Sequence, residues 1–428
     1  MRNNKKEILG KFITTKKGFA FKTKWYMSSG HPIVKVTNMN ENSINTDKLT
    51  YIPNKIANDY KSFSLKANDI VIQTVGSWPT NPKSVVGKVV RIPRNIEGAL
   101  LNQNAVIIYP NEKLDKMYLY YILKDYNFKN YIIGTAQGAA NQASITLESI
   151  KKFKFELIPI NIQKKISNLL FNLDSLIENN ISSVKILEEI CKKLYNHWFV
   201  NFSFPSSKKN KFIDFGKKRI PPNWGVSSIE EVSEMISKGP SIVYGENSQV
   251  PVLNQKCIRD GKIILNDIRF ANELKSKNNN LYLKKKDILI NSMGVGTLGR
   301  VSRNLSISKK MIIHSCITVI RANSKKIRSE YLYYVVKEFE EYFVKSSKGT
   351  TGQTSLDLEL VKKLPILVPE RNIYKKFLQI ITPIWEQIGI LENKCEILKK
   401  QRDFLLPYLI SGKINISNLN LKIPAKVA

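Results

Sequence analysis

The chain has 428 residues, 43% of them hydrophobic, with 68 Lys+Arg against 35 Asp+Glu and a formal net charge of +33. That length fits two or three domains, and that apolar content supports folded cores and excludes a disordered chain. So large a positive excess repels itself and usually answers a polyanion, nucleic acid first and an anionic membrane surface second, although a Lys-, Asn- and Ile-rich composition bias also raises lysine.

The N-terminus MRNNKKEILGKF has no apolar signal core, and no apolar run approaches ~20 residues, so the expected location is the cytoplasm with no membrane span. Residues 1–158 read as a first globular unit. HPIVKV, DIVIQTV, VVGKVVRI and NAVIIY are short apolar runs punctuated by Gly, Asn and Pro, which predicts strands, and MYLYYILKDYNFKNYI predicts a helix. Residues 159–203 carry a long helix whose apolar positions step by four and three through Ile166, Leu170, Leu173, Ile177, Asn180, Val184, Leu187, Cys191, Leu194 and Trp198. A Pro-, Ser- and Lys-containing linker over 202–224 leads into a second globular unit, placed at 204–368. There VPVLNQ, DILINSM, GRVSR and ITVIRA predict strands and EYLYYVVKEFEEYFVK a helix. Residues 369–428 hold a second long helix and a tail. Its steps run through Phe377, Ile381, Ile384, Ile388, Leu391, Cys395, Leu398, Arg402, Leu405 and Leu409, each 211 residues after its counterpart in the first list.

The globular units repeat as well. Leu65, Asp69, Ile70, Ile72 and Gly76 recur as Leu283, Asp287, Ile288, Ile290 and Gly294, and Gly138, Gln142, Ser144 and Leu147 recur as Gly349, Gln353, Ser355 and Leu358. Ile8 and Gly18 align with Ile229 and Gly239. A period this long is a duplicated domain-plus-helix unit rather than a solenoid. The expected fold is α/β (α+β): two similar globular domains in pseudo-twofold arrangement, separated by a pair of long antiparallel coiled-coil helices. Asn180 and Arg402 are candidates to fix the register. Pro383 and Pro407 lack an N–H and predict a local bend or end in the second helix.

Little in the chain points to catalysis. Gly294-Val295-Gly296-Thr297-Leu298-Gly299 has the glycine spacing of a dinucleotide loop, but RVSRN follows where a helix is needed, so a glycine turn between strands is expected. His31, His197 and His314 are each isolated. Cys191, Cys257, Cys316 and Cys395 form no CxxC, which predicts no metal site and no disulfide framework. No amino-methyltransferase Asn-Pro-Pro-Tyr, Walker A loop or nuclease carboxylate–lysine cluster is present.

Basic residues give the candidate DNA contacts. From Arg300 to Ser329 there is no acid, and Arg300, Arg303, Lys309, Lys310 and Arg321 lie there with Lys325, Lys326 and Arg328. The matching stretch of the first unit holds Lys83, Lys88, Arg91 and Arg94. Such side chains neutralise phosphates or grip guanine edges; the alternative is a solvated basic face. Gln137, Asn141, Gln142 and Gln353 sit in the loops QGAANQAS and KGTTGQTS, where amides either read adenine edges or fix a turn.

A basic globular unit, a GxxxQxSL-type loop, a long helix and then IPPNW opening a second copy, in that order, resemble the specificity subunit of type I restriction-modification systems. The resemblance spans nearly the whole chain and rests on Pro222-x-Trp224 with Ile229, Leu253-Asn254-Gln255 and Gly349–Leu356. It implies a non-catalytic chain in which two target-recognition domains each read half of a split site in double-stranded DNA. The helices would dock two modification subunits, with restriction subunits able to join. S-adenosylmethionine would belong to the modification subunits and no cofactor to this chain. The first unit lacks the IPPNW lead, which predicts a slightly shortened start. Two other readings stay open: a single-chain nucleic-acid enzyme with an unrecognised active site, and an adaptor of another phage-defence system.

Overall fold

The computed structural model describes residues 6–41, 43–78, 85–138, 142–205, 212–215, 218–244, 250–265, 268–273, 282–347, 355–414 and 416. The chain divides into two compact units, Met1–Leu176 with Leu398–Ala428, and Ile177–Ile397. Each unit therefore takes one globular region and a part of both long helices.

In the first unit the main sheet is antiparallel, ordered Ile13–Lys17, Ala105–Pro110, Ile70–Gln73 and Val89–Arg91. The strand Ile70–Gln73 is buried throughout because both faces are covered, and its first three residues are apolar. Ile70 and Ile72 face the helices, whereas Val71 packs with Val34, Val90 and Ile107 beneath a smaller sheet. That sheet runs Thr50–Ile52, His31–Val34, Leu100–Leu101, the last pair parallel. The expected single helix is two, Lys116–Lys124 and Tyr126–Gly134, because Asp125 caps the second through Asn127 N (3.0 Å).

The second unit has the same main-sheet order: Ser233–Lys238, Ile317–Ala322, Ile288–Asn291 and Val301–Arg303. Its smaller sheet runs Val243–Tyr244, Arg269–Glu273, Val250–Leu253, Ile312–Ile313. Helices Ser329–Glu338 and Glu340–Lys345 follow. Gly294–Gly299 is a turn between strands, with positive φ at Gly294, Gly296 and Gly299.

The repeated L-K-x-x-D sequence has a mechanical meaning. Asp69 Oδ2 accepts from Lys66 N at 2.9 Å, and Asp287 Oδ2 accepts from Lys284 N at 2.8 Å. The residue before each aspartate has positive φ, 64° at Asn68 and 69° at Lys286. The carboxylate thus closes a tight turn that launches the central strand. Both carboxylates are buried and paired, Asp69 with Lys116 (2.8 Å) and Asp287 with Arg321 (2.8 Å).

The structure revises one alignment. Leu9 N donates to Phe153 O as Ile229 N donates to Leu364 O, and both side chains are fully buried, whereas Ile8 is 40% exposed. The counterpart of Ile229 is therefore Leu9. A register shift between Ser233 and Met235 adds one residue to the second copy, which restores the match of Gly18 with Gly239. A Cβ at Gly239 would lie 1.9 Å from Ile313 O, and one at Gly18 would lie 2.1 Å from Asn102 O. Backbone cannot yield as a side chain can. Gly239→Ala should therefore destabilise the second unit by at least ~1–3 kcal/mol, measured by urea unfolding.

The long helices are Ile160–Tyr195, extended by the π-turn Asn196–Val200, and Arg371–Ile410. The second runs through Pro383 and Pro407, so the expected local end does not occur there. A proline removes a single N–H, and Ser411 N still reaches Pro407 O at 3.0 Å. The helix ends instead at Gly412, with φ of 68°.

Every seam position of both helices is buried or half-buried. In the first unit Ile166 and Leu170 share a core with Leu405 and Leu409, and Asp174 meets Arg402. In the second unit the Cys395 thiol approaches Ile177 O, and Val184, Leu187, Cys191 and Leu194 share a core with Phe377, Ile381, Ile384, Ile388 and Leu391. In each unit numbers rise on one helix as they fall on the other: the helices pair antiparallel. Leu173, Ile177 and Leu398 complete the half-buried and buried positions of the stripe.

The layer around Arg402 differs between the copies. In the first unit Tyr121 Oη donates to Asp174 Oδ2 (2.8 Å) and Arg402 Nη1 donates to Asp174 Oδ1 (2.8 Å). Burial works against the Arg402 charge, but Asp174 and Asp403 outweigh it and hold the guanidinium above its ordinary value. In the second unit the matching residues are Tyr334, Trp385 and Cys191. Trp385 Nε1 donates to Tyr334 Oη at 3.2 Å, and burial pushes the Cys191 thiol up to about 11.

Candidate nucleic-acid interface

The basic residues singled out in the sequence fall into two groups. Arg91 and Arg303 end the matched edge strands and turn inward. The Arg91 guanidinium lies 4.7 Å from the Phe171 ring centroid and donates to Asn68 Oδ1 at 3.3 Å. Arg303 is held between Tyr333 (4.3 Å) and Trp385 (4.5 Å), and its Nη2 meets Glu188 Oε1 at 2.7 Å. Arg321 grips Asp287 with Nε and Nη2, each at 2.8 Å. The guanidiniums of Arg91, Arg303 and Arg321 thus have their partners within the fold. Arg300 braces the glycine turn through Nη2 to Gly296 O at 2.7 Å. Lys88 reaches Met39 O at 3.2 Å; burial lowers its pKa and Glu41 partly offsets this.

The second group faces solvent. Lys309, Arg94 and Gln142 are exposed, and Lys310 Nζ stands 4.4 Å from the Tyr282 ring centroid. The Gln137 main chain exchanges hydrogen bonds with Ser144 (2.9 and 2.8 Å), which fixes the loop's hairpin-like neck. Lys83, Asn141 and Gln353 lie outside the described residues.

A stretch free of acids in sequence is not free of them in space. Asp287 and Glu188 come from other segments to neutralise Arg321 and Arg303, and Glu330, just past the stretch, pairs with Arg328. The opposite holds for a stretch the sequence reading passed over. Between Ile8 and Asn40 there is no Asp or Glu, and six lysines lie there: Lys11, Lys16, Lys17, Lys22, Lys24 and Lys35. Lys11 pairs with Glu7. Among the described residues the other five meet no carboxylate. Lys16 donates to Ser62 O and sits 5.5 Å from the Phe63 ring, Lys22 lies 5.5 Å from Trp25, and Lys35 lies 3.9 Å from Tyr26. The available signal was the acid-free run interleaved with Phe19, Phe21, Trp25 and Tyr26.

Outside this surface, among the described residues no helix is long and apolar enough to cross a membrane. The long helices nonetheless expose apolar side chains away from the seam, among them Ile181, Ile186 and Ile190 on the first and Ile390 and Ile397 on the second.

Comparison with known proteins gives a consistent picture. The family model for the type I restriction modification DNA specificity domain matches residues 2–190 and again 221–400. The chain is 26% identical over 321 residues to the type I restriction enzyme MjaIX specificity subunit of Methanocaldococcus jannaschii, covering 74% of this chain and 73% of that one. It is 21% identical over 397 residues to the HindI specificity subunit of Haemophilus influenzae, covering 77% and 84%. Among solved structures, the S subunit of a type I restriction-modification system from M. genitalium shares the fold, with a TM-score of 0.58 at 17% identity over 96% of this chain and 97% of that one.

Proposed function

Because the chain belongs to the type I restriction-modification DNA specificity family, we propose that it is the DNA-reading subunit of such a complex, with each globular unit reading one half of a split site. The observation that carries this is the duplication at the level of hydrogen bonds: the same main sheet, the same Asp-closed turn and the same emerging long helix occur in both units. Two copies of a reader whose surface side chains differ suit two different half-sites.

The exposed apolar side chains of the long helices support docking of two modification subunits, which would carry S-adenosylmethionine and the methylation step. Restriction subunits would join that core. This chain itself would bind no cofactor and catalyse nothing, in the cytoplasm. Non-polar surface rimmed by polar residues marks such contacts.

Exchanging residues 225–348 for the matching part of a relative should change only the half-site read by the second unit. The measurement is the methylated motif in cells carrying each chimera and its modification subunit, read by modification-sensitive sequencing. A change in both half-sites would replace the two-reader account with a single composite surface. The purified chain alone should neither methylate nor cut DNA; if it does either, the single-chain enzyme is the better reading.

A further inference from the structure

Resting on the DNA-reading role just proposed, we infer that the first unit grips the DNA backbone through the segment Lys16–Tyr26, with Lys17, Lys22 and Lys24 on phosphates and the neighbouring rings holding the segment rigid. None of the residues picked from the basic stretches lies here.

Charge is the first argument. Lys17, Lys22 and Lys24 are exposed, and the surrounding run from Ile8 to Asn40 has no acid. At Arg303, Arg321 and Arg328 the fold supplies carboxylates; here it brings none to Lys16, Lys17, Lys22, Lys24 or Lys35 among the described residues. An uncompensated cluster of this kind invites a polyanion.

Rigidity is the second. Phe19 packs on Tyr60 (ring centroids 4.3 Å apart) and on Phe63 (5.3 Å), and Trp25 lies 5.9 Å from Tyr60. Phe21 is buried in the same cluster. Lys16 stands over Phe63 and Lys22 over Trp25, and the packed rings hold the backbone that carries Lys17 and Lys24, which lowers the ordering cost of binding.

The third argument comes from the other unit. Met27 pairs with Tyr51, and Tyr244 pairs with Ala271, on matched strands of the two small sheets. Counting along them places Tyr26 opposite Ile52, the match of Ala271, so Tyr26 and Tyr244 are counterparts. Each carries a cation over its ring: Lys35 at 3.9 Å on Tyr26, and Arg269 at 5.1 Å on Tyr244. The cations themselves come from positions that do not match, since Lys35 corresponds to Asn254 and Arg269 to Thr50. The same arrangement has therefore been built twice from different residues, which common descent of the two halves does not explain and a shared polyanionic partner does.

The test uses the assembled complex with its modification subunits. The triple variant Lys17→Ala, Lys22→Ala, Lys24→Ala is compared with a control triple on exposed lysines elsewhere in the unit, Lys113→Ala, Lys129→Ala, Lys154→Ala. DNA affinity is measured against salt for the cognate site and for an unrelated duplex. The log–log salt slope of the first triple should fall by about three, at roughly 0.9 per phosphate contact, with affinity lost equally on both duplexes. The control should leave the slope close to that of the unmutated complex. Equal changes in both triples would reduce the effect to bulk charge and overturn the proposal, as would an unchanged slope in the first. Loss of complex assembly in the first triple would assign the surface to a protein partner and overturn it too. If the unmutated complex has no affinity for DNA, the recognition role itself falls; if it binds and the first triple binds identically, only this surface is refuted.

Discussion

Raising salt from about 50 to 200 mM should weaken DNA binding by the assembled complex roughly 10³–10⁵-fold, provided about eight phosphates are contacted. The net charge of +33 supplies the long-range attraction. The structure narrows which residues can supply the contacts. Arg91, Arg303 and Arg321 are engaged internally, so the effect is expected from exposed groups such as Arg94, Lys309 and the lysines near the N-terminus. Lys309→Ala should lower affinity on all sequences and reduce the slope by about one, whereas loss of a base-reading side chain should relax one position of the site. Titrations by fluorescence anisotropy at several salt concentrations measure both. An affinity flat over this range would remove the electrostatic account.

Glu188→Ala should destabilise the second unit by about 3–5 kcal/mol, the usual cost of leaving a buried charge without its partner. The Arg303 side chain is 2% exposed, and Glu188, at 24%, is the carboxylate it meets at 2.7 Å. The faces of Tyr333 and Trp385 attract the guanidinium but do not accept its protons. They offset only part of the loss. Glu392, whose carboxyl is pushed upward by burial and pulled down by Arg303, is the group that would partly take over. Removing the charge itself, in the double variant Arg303→Met with Glu188→Gln, should cost less than Glu188→Ala alone. Urea denaturation of the unmutated protein and the two variants gives the comparison, and a loss under about 1 kcal/mol for Glu188→Ala would show that the rings suffice.

The central strands were legible because runs such as Ile70-Val71-Ile72 are apolar on both faces, a pattern that burial under a second layer requires. The heptad seam was legible for the same reason: a coiled coil writes its contact stripe directly into the spacing. Strand order was not, because each main sheet joins segments far apart in sequence, as when Ile13–Lys17 pairs with Ala105–Pro110. The match of Ile8 with Ile229 failed by one residue because a bulge carries no composition signal. The helix through Pro383 shows tertiary packing overriding a local preference. Of the candidate DNA contacts, those that turned inward look no different in sequence from those that did not. What separates Arg303 from Lys309 is Glu188, which lies 115 residues away along the chain.

A chain made of two similar halves offers each long helix a second suitor, its own twin in another molecule. The layer of Asp174, Tyr121 and Arg402 makes that match unattractive. If the first helix paired antiparallel with a copy of itself, Asp174 would face Cys191, the residue 211 positions before Arg402. If the second did so, Arg402 would face Trp385. Either union leaves a charge in the seam with no opposite charge across the pair, whereas the union of unlike helices sets Arg402 Nη1 against Asp174 Oδ1 at 2.8 Å. Chains that accepted their twins would link end to end into open strings. A single carboxylate and a single guanidinium thus act as an address, directing each helix to the sister encoded on the same polypeptide.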